Sequence, residues 1–158
     1  MKFACDVMLG RLARWLRISG LDVFYDNRID RSSLFRVARE QGRIIITRAG
    51  TLRELKDIPP YLIITGDDLD DQLAQVYGNF PDLDPFADFL SRCVECNVPL
   101  EEIEKQGHSQ KIPPKAMLTQ GPFSRCPSCG KILWQGAHVG RMTERLKGLA
   151  GRVGKRVP

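Results

Sequence analysis

Short apolar runs and helical patterns alternate along the first part of the chain. The runs at 2–7, 22–25, 43–47 and 61–65 predict four β-strands, the first ending near Asp6. The last two runs are unbroken and rich in isoleucine or leucine, which is typical of strands covered on both faces of a parallel sheet. This alternation indicates a three-layer α/β domain.

Apolar positions at helical spacing follow each of these runs. They predict helices that end before Gly20 and Gly42, and two further helices at 52–56 and 68–77. In the first helix, three arginines are predicted to lie on the solvated side, opposite the apolar stripe: Arg11, Arg14 and Arg17.

The alternation of strand and helix patterns stops after Phe80, and the composition changes. Prolines and two cysteine pairs indicate a loop-rich module, and the residues from 139 to 149 predict a final helix followed by a basic tail. We therefore divide the chain into an α/β domain at 1–90, a small module at 91–140, and a basic helix and tail at 141–158.

Composition narrows the class of protein. Of the 158 residues, 42% are hydrophobic and 27% are charged, which argues against disordered, collagen-like and coiled-coil proteins. No apolar stretch is long enough to span a membrane, and arginines interrupt the apolar residues near the N-terminus where a secretory signal would need a clean hydrophobic centre. These features predict a cytoplasmic protein.

The net charge of +5 is unevenly distributed. Residues 1–90 contain 12 basic and 14 acidic side chains, whereas residues 91–158 contain 12 basic and 5 acidic ones. This asymmetry favours a polyanionic partner held mainly by the second half, although clustered positive charge is also typical of a solvated face. Six basic residues follow His138, and we expect them to hold phosphates.

Four of the five cysteines form two Cys-x-x-Cys pairs, which are Cys93, Cys96, Cys126 and Cys129. Two thiolates separated by two residues can turn toward one ion, so the pairs predict a structural zinc site with four sulfur ligands. The alternative is a pair of redox dithiols, but neither pair begins a helix after a strand. Cys5, in the first strand, is expected to be a buried apolar residue.

Several aspartates follow strand ends or precede helices: Asp6, Asp30, Asp67 and Asp68. Because the carboxyl ends of parallel strands meet at one edge of a sheet, these carboxylates are candidates for a Mg²⁺ or Mn²⁺ site that cleaves phosphodiesters. Each of the last three also has a purely structural explanation as a helix cap.

Basic and aromatic residues supply candidates for nucleic-acid binding. Arg11, Arg14 and Arg48 are placed to flank the acidic edge and hold phosphates. Trp134 and His138 follow the second cysteine pair and are candidates for contacts with bases, although filling a thin core is the commoner role of such a tryptophan.

The ordered motifs resemble the Mut-seven C-terminal RNase family. They are DVMLGRLARWLRISG from Asp6, then Asp30, IIITR ending at Arg48, and CPSCGKILWQGAH ending at His138. The resemblance implies a PIN-like nuclease domain followed by a zinc ribbon. It also implies that Asp6 and Asp30 hold a catalytic Mg²⁺ or Mn²⁺ and that the four cysteines belong to the ribbon. We expect the partner to be single-stranded RNA.

One position departs from that family pattern. Ala49 stands where the resemblance implies a third acidic residue, and alanine cannot bind a metal. The leading hypothesis is a metal-dependent ribonuclease whose activity is impaired by Ala49, with Asp67 or Asp68 as substitutes. The alternatives are a catalytically inactive RNA-binding or adaptor protein, and a zinc-stabilised interaction module with no nucleic-acid role.

Overall fold

The computed structural model describes residues 1–155, and its first sheet contains four parallel strands. The strands, in the spatial order β2-β1-β3-β4, are β1 (Lys2–Cys5), β2 (Asp22–Phe24), β3 (Ile44–Thr47) and β4 (Tyr61–Ile63). The two central strands are almost wholly buried, as their unbroken apolar sequences predict. All four predicted strands are confirmed, and the α/β class with them.

Helices cover both faces of this sheet. They are α1 (Gly10–Ile18), α2 (Arg31–Gln41) and α3 (Leu69–Asn79), with 3-10 helices at Val7–Leu9 and Gly50–Glu54. Ala4 and Ile45 pack with α2 on one face, whereas Phe3 and Ile46 belong to the larger core on the other face. Alternate strand residues therefore serve two helical layers, which gives the predicted three-layer arrangement. The expected short helix at 52–56 is a 3-10 helix that begins two residues earlier.

Gly20 ends α1 for two physical reasons. Its φ angle of +88° favours glycine, and a Cβ at this position would lie 2.2 Å from the carbonyl oxygen of Asp88. The predicted stop is therefore confirmed, and it is also the point where the segment following α3 packs against α1.

The second sheet is antiparallel and lies in the cysteine-containing part of the chain. Its strands, in the order β5-β6-β7, are β5 (Glu101–Ile103), β6 (Phe123–Arg125) and β7 (Ile132–Trp134), with the short helix α4 (Pro114–Met117) between β5 and β6. Phe123 stacks on Trp134 with ring centroids 6.3 Å apart, so this tryptophan helps to fill a small separate core.

The last helix, α5 (Ala137–Arg152), returns to the first sheet. Leu146 and Leu149 are buried in the same apolar cluster as Phe3 and Leu73. The helix thus completes the core of the α/β unit, although the chain reaches it through the second sheet. The division of the chain at residues 90 and 140 stays a prediction.

Within residues 1–155, no helix combines the length and the apolar character needed to cross a bilayer. The helix α5 has 16 residues and carries charged side chains along its length, whereas a spanning helix needs about 20 apolar residues.

Candidate functional site

The order of the parallel strands reverses between β1 and β3. The chain runs from β1 outward to β2 and then crosses to β3 on the other side of β1. The carboxyl ends of these two strands lie side by side, and the Asp6 amide donates to the carbonyl of Ile46 at 3.0 Å. In open α/β sheets, ligands bind in the crevice at such a reversal.

Asp6 follows β1 at this crevice and is held by three hydrogen-bond donors. The Met8 amide donates to Oδ1 at 2.9 Å, and the Arg48 amide donates to Oδ2 at 3.1 Å. The hydroxyl of the buried Thr47 also donates to Oδ2. Three donors fix the carboxylate and still leave it an acceptor position.

Asp30 precedes α2 and also has three donors. They are the Ser32 hydroxyl, the Ser33 amide at 3.0 Å and the Ser33 hydroxyl at 2.7 Å. The hydrogen bond from the Ser32 hydroxyl, followed by those from Ser33, holds the pKa of the Asp30 carboxyl well below its usual range. Asp30 therefore offers an ionised carboxylate at neutral pH.

Asp6, Asp30 and Ala49 line one cavity of about 230 Å³. The structure thus brings together the two aspartates and the alanine that departs from the family pattern. The rest of the lining is mainly apolar and includes Met8, which is 72% exposed, and Phe35.

Each of these three positions is also the N-cap of a helix. Asp6 and Asp30 cap the helices that follow them with their carboxylates, whereas Ala49 precedes the 3-10 helix Gly50–Glu54 without a side-chain cap. Helices begin around the crevice, and an aspartate at such a position can both cap the helix and offer a carboxylate oxygen to a cation. Ala49 supplies neither function.

Asp67 and Asp68 do not line this cavity. Asp67 pairs with Arg48 at 2.8 Å and its side chain is 95% exposed. Asp68 caps α3 by accepting from the Asp71 amide at 2.8 Å. Over the described part of the chain, the acidic residues do not form a group of three or more potential ligands within reach of one ion.

The four cysteines do form such a group. The sulfur atoms of Cys93, Cys96, Cys126 and Cys129 all lie within 4.8 Å of one another. Four thiolates at about 2.3 Å from a common centre fit tetrahedral zinc and leave no open coordination position. This donor set suits a structural metal site, and the cluster accords with the prediction of a zinc-ribbon module.

The two Cys-x-x-Cys turns have the same backbone hydrogen bonds. Asn97 and Gly130, the residues after the pairs, have φ angles of +61° and +71°, and each amide donates to the first cysteine's carbonyl at 2.9 Å. The amides of Cys96 and Cys129 donate to the sulfurs of Cys93 and Cys126 at 3.5 and 3.4 Å. Such donors stabilise the thiolate form that binds metal.

The two first cysteines of these turns differ in pKa. Burial raises the pKa of the Cys93 thiol to about 11. At Cys126, burial acts in the same direction, but hydrogen bonds from the Cys129 and Ser128 amides outweigh it and lower the pKa to about 7. Metal binding therefore releases protons from this cluster and becomes stronger as pH rises.

Side chains of the α/β unit hold the first cysteine turn in place. Arg17 donates to the carbonyls of Val94 and Glu95 at 2.8 and 3.0 Å. Asn97 accepts from the Val23 amide at 2.9 Å and donates to Asp22 at 2.7 Å. The four-cysteine cluster is therefore fastened directly to β2.

Arg17 corrects a prediction from the sequence. It was expected on the solvated side of α1 with Arg11 and Arg14, but it is 7% exposed and its Nε donates to the Val23 carbonyl at 2.9 Å. Helical periodicity does not predict this burial, because the carbonyl oxygens that make it favourable come from β2 and from the cysteine turn, which only the folded chain brings beside Arg17.

The candidate nucleic-acid residues fall in two places. Arg48 lies between Asp6 and Asp67, beside the cavity. Arg14 and His138 line a second groove of about 480 Å³ between α1 and the antiparallel sheet. Arg11 is exposed on α1.

Basic residues of α5 were expected to be available to RNA, but three of them pair within the chain. Lys147 contacts Glu144 on the same helix at 3.4 Å. Arg145 contacts Asp70 at 3.1 Å, and Arg152 contacts Asp71 at 2.5 Å. The acidic residues of α3 thus reduce the net positive charge of this surface. Arg156, which belongs to the same predicted basic segment, lies outside the described residues.

Sequence reasoning missed Asn97 as a residue that joins the two parts of the chain. The sequence does contain a signal for it. Asn97 holds the same position after the first cysteine pair that Gly130 holds after the second. Asparagine tolerates the left-handed backbone of that turn and adds a side chain that can make contacts. What it contacts depends on tertiary packing.

Comparison with known proteins agrees with this arrangement. The family model described as Mut7-C RNAse domain matches residues 1–146. Neither the curated proteins nor the solved structures include a significant match. The family match includes both the crevice with Asp6 and Asp30 and the four-cysteine cluster, and the chain belongs to the Mut7-C RNase domain family.

Proposed function

We propose that this protein is a ribonuclease that uses Mg²⁺ or Mn²⁺ to hydrolyse phosphodiester bonds of RNA at the cavity lined by Asp6 and Asp30. The observation that carries the proposal is the position of these two carboxylates, which open onto one cavity at the strand-order reversal of an RNase-family domain.

The donor set fits a hard divalent cation. Asp6 and Asp30 each accept three hydrogen bonds and retain acceptor capacity for one metal bond. Magnesium sites commonly use one or two carboxylates, with water and substrate phosphate as the remaining ligands. When bound, such an ion polarises the scissile phosphate and lowers the pKa of a water molecule.

The chain's own residues would prepare this site. Thr47 and the Arg48 amide orient the Asp6 carboxylate, and Ser32 and Ser33 keep Asp30 ionised. The Arg48 guanidinium, which pairs with Asp67 at 2.8 Å, belongs to a residue between Thr47 and Ala49 of the cavity lining and would hold a phosphate group of the substrate.

Ala49 favours a second candidate function, a catalytically inactive RNA-binding or adaptor protein. Ala49 lines the same cavity and offers no ligand, and Asp67 and Asp68 lie outside the lining.

The nuclease proposal makes a different statement about Ala49. If the cavity is a nuclease site, we propose that this chain cleaves RNA weakly and that the Ala49→Asp variant cleaves it faster.

The deciding experiment measures cleavage of labelled single-stranded RNA in Mn²⁺ by the natural chain and by Ala49→Asp. Asp6→Asn in each background is the matched control, because asparagine keeps the shape of the side chain and removes its charge. Cleavage that rises in Ala49→Asp and disappears with Asp6→Asn supports the nuclease. RNA binding without cleavage in every variant supports the adaptor instead.

A further inference from the structure

The second groove is a separate feature from the acidic cavity and occupies about 480 Å³, a size within the usual range of ligand sites. Its lining joins Arg14 of α1 with residues of the segment 89–100, of the antiparallel sheet and of the start of α5, so both units of the chain contribute to it. Trp134 and His138 are among the lining residues.

We infer that this groove binds a nucleotide of single-stranded RNA, remote from the bond that is cut, and so extends the substrate path from the Asp6 cavity. The inference rests on the proposed function for the identity of the ligand. The groove residues Arg14, Lys131 and Trp134 are not among those that line the Asp6 cavity.

The aromatic wall of the groove suits a nucleobase. A Cβ at Gly136 would lie 3.2 Å from His138 Nδ1 and 3.3 Å from Trp134 Nε1, so both ring edges approach this glycine and a larger residue would crowd them. Aromatic side chains stack on bases of any sequence. Trp134 is positioned for this by its packing on Phe123.

The charges at the rim favour a phosphate-bearing ligand. Arg14 and Lys131 are both more than half exposed and share a single carboxylate, that of Glu95, at 3.6 and 4.0 Å. The groove lining as a whole contains three cationic side chains, Arg14, Arg92 and Lys131, and two carboxylates, Glu95 and Glu102, which leaves a net charge of +1. Glu102 also lines the groove, and a carboxylate can accept a hydrogen bond from the amino group of cytosine.

Helix α1 connects the groove with the acidic cavity. Asp6 caps the 3-10 helix Val7–Leu9, which leads directly into α1, and Arg14 lies on the second turn of α1. Arg11 is exposed between them. A strand of a few nucleotides can therefore follow Arg11 and Arg14 from one site to the other.

The test measures binding of a short fluorescein-labelled oligocytidylate to the zinc-loaded protein, without Mg²⁺ or Mn²⁺. We expect the double variant Arg14→Gln/Lys131→Gln to bind about tenfold more weakly, with a salt slope shallower by about 1.4 for two lost phosphate contacts. Arg39→Gln is the control for loss of a surface arginine, since Arg39 lies on α2, is exposed and does not line the groove. Equal binding by the parent and the double variant would overturn the inference.

Tryptophan fluorescence tests whether the nucleotide lies beside Trp134, with variants that leave the net charge of the protein unchanged. The chain has two tryptophans, and we expect cytidine nucleotide to quench emission from the parent and from Trp15→Phe but not from Trp134→Phe. Phenylalanine keeps an aromatic ring against Phe123, so the fold is retained. Quenching that persists in Trp134→Phe would exclude the groove as an RNA site. Displacement of bound RNA by an acidic peptide, as effective as displacement by the nucleotide, would exclude it as well.

The two proposals fail in distinguishable ways. If RNA binding depends on the groove residues but Ala49→Asp does not cleave RNA, the proposed nuclease activity is wrong and the proposed RNA site in the groove stands. Cleavage with binding that is independent of Arg14, Lys131 and Trp134 overturns the groove and keeps the nuclease.

Discussion

The side-chain oxygen of Asn97 accepts a hydrogen bond from the backbone amide of Val23 at 2.9 Å. Asn97 belongs to the first cysteine turn and Val23 to the edge strand β2, so this bond joins the four-cysteine cluster to the sheet. The other end of the same side chain donates to Asp22 at 2.7 Å, and Asp22 also pairs with Arg43 at 2.6 Å.

We expect Asn97→Gly to lower the free energy of unfolding by about 1–3 kcal/mol, because the variant leaves the Val23 amide without its acceptor. Glycine fits the positive φ of this position, so the turn itself is kept. Urea denaturation measures the effect. The reciprocal change, Gly130→Asn, is the control and should cost less than about 1 kcal/mol, since a Cβ there meets no atom within 4 Å and asparagine tolerates the φ of +71° better than most residues. Equal effects of the two changes would contradict the role given to Asn97.

Arg17→Leu should destabilise the fold by about 2–4 kcal/mol, because it leaves buried carbonyl oxygens without donors. Arg14→Leu makes the same chemical change three residues earlier, at a side chain that is 60% exposed, and we expect it to cost less than about 0.5 kcal/mol. Thermal denaturation followed by circular dichroism compares the two. Similar melting temperatures for both variants would show that Arg17 does not fasten the cysteine turn.

Removal of zinc should loosen the α/β sheet as well as the cysteine module. Structural zinc contributes about 10–16 kcal/mol of binding free energy in small peptides, and Arg17 and Asn97 link the cluster to β2. Hydrogen exchange measures this directly: chelation, or Cys126→Ser, should speed exchange of the Val23 amide. Metal analysis that finds no zinc in the purified protein would refute the site.

Ala49→Asp should make thermal stability depend on divalent cations. Without metal, a third carboxylate beside Asp6 and Asp30 adds repulsion, whereas a cation bound by the native state raises the melting temperature by mass action. Thermal shift in a Mn²⁺ titration measures the effect, with Ala49→Asn as the uncharged control. An equal response of both variants would argue against a metal site at this position.

Asp30 should titrate at a lower pH than an ordinary aspartate, chiefly because of the Ser32 hydroxyl and then Ser33. Its folded pKa lies below its unfolded value, so its contribution to stability is present above the unfolded pKa of about 3.9. That contribution is lost as pH falls through the folded pKa. An NMR titration of the Asp30 carboxyl carbon measures this, and Ser32→Ala should move the titration upward. An unchanged titration in Ser32→Ala would contradict the assigned cause.

The sequence predicted features that depend on local pattern. The strands around Ile45 and Leu62 have unbroken apolar runs, and Gly20 and Gly42 mark helix ends by their backbone conformations. The cysteine spacing was enough to predict the cluster, because the ligand types and the two-residue gap are themselves the signal.

Features that depend on tertiary packing could not be predicted in this way. Burial of Arg17 requires carbonyls that follow it by almost eighty residues, and the pairing of Arg145 with Asp70 requires α5 to pack on α3. The shared site of Asp6 and Asp30 was implied by the family resemblance, whereas the sheet-edge argument had grouped Asp6 with Asp67 and Asp68, which do not line its cavity. Their separation depends on how β4 and α3 are spaced from that cavity.

The return of α5 to the first sheet has a consequence for the order of events during synthesis. Leu146 and Leu149 complete a core that begins with Phe3, so a ribosome must translate the cysteine module before the α/β unit can close. An emerging chain would expose the apolar side of α1 and α3 until that moment, and early zinc capture would shorten the exposure by holding the intervening segment against β2. Metal supply during translation would then influence how much of the protein escapes aggregation.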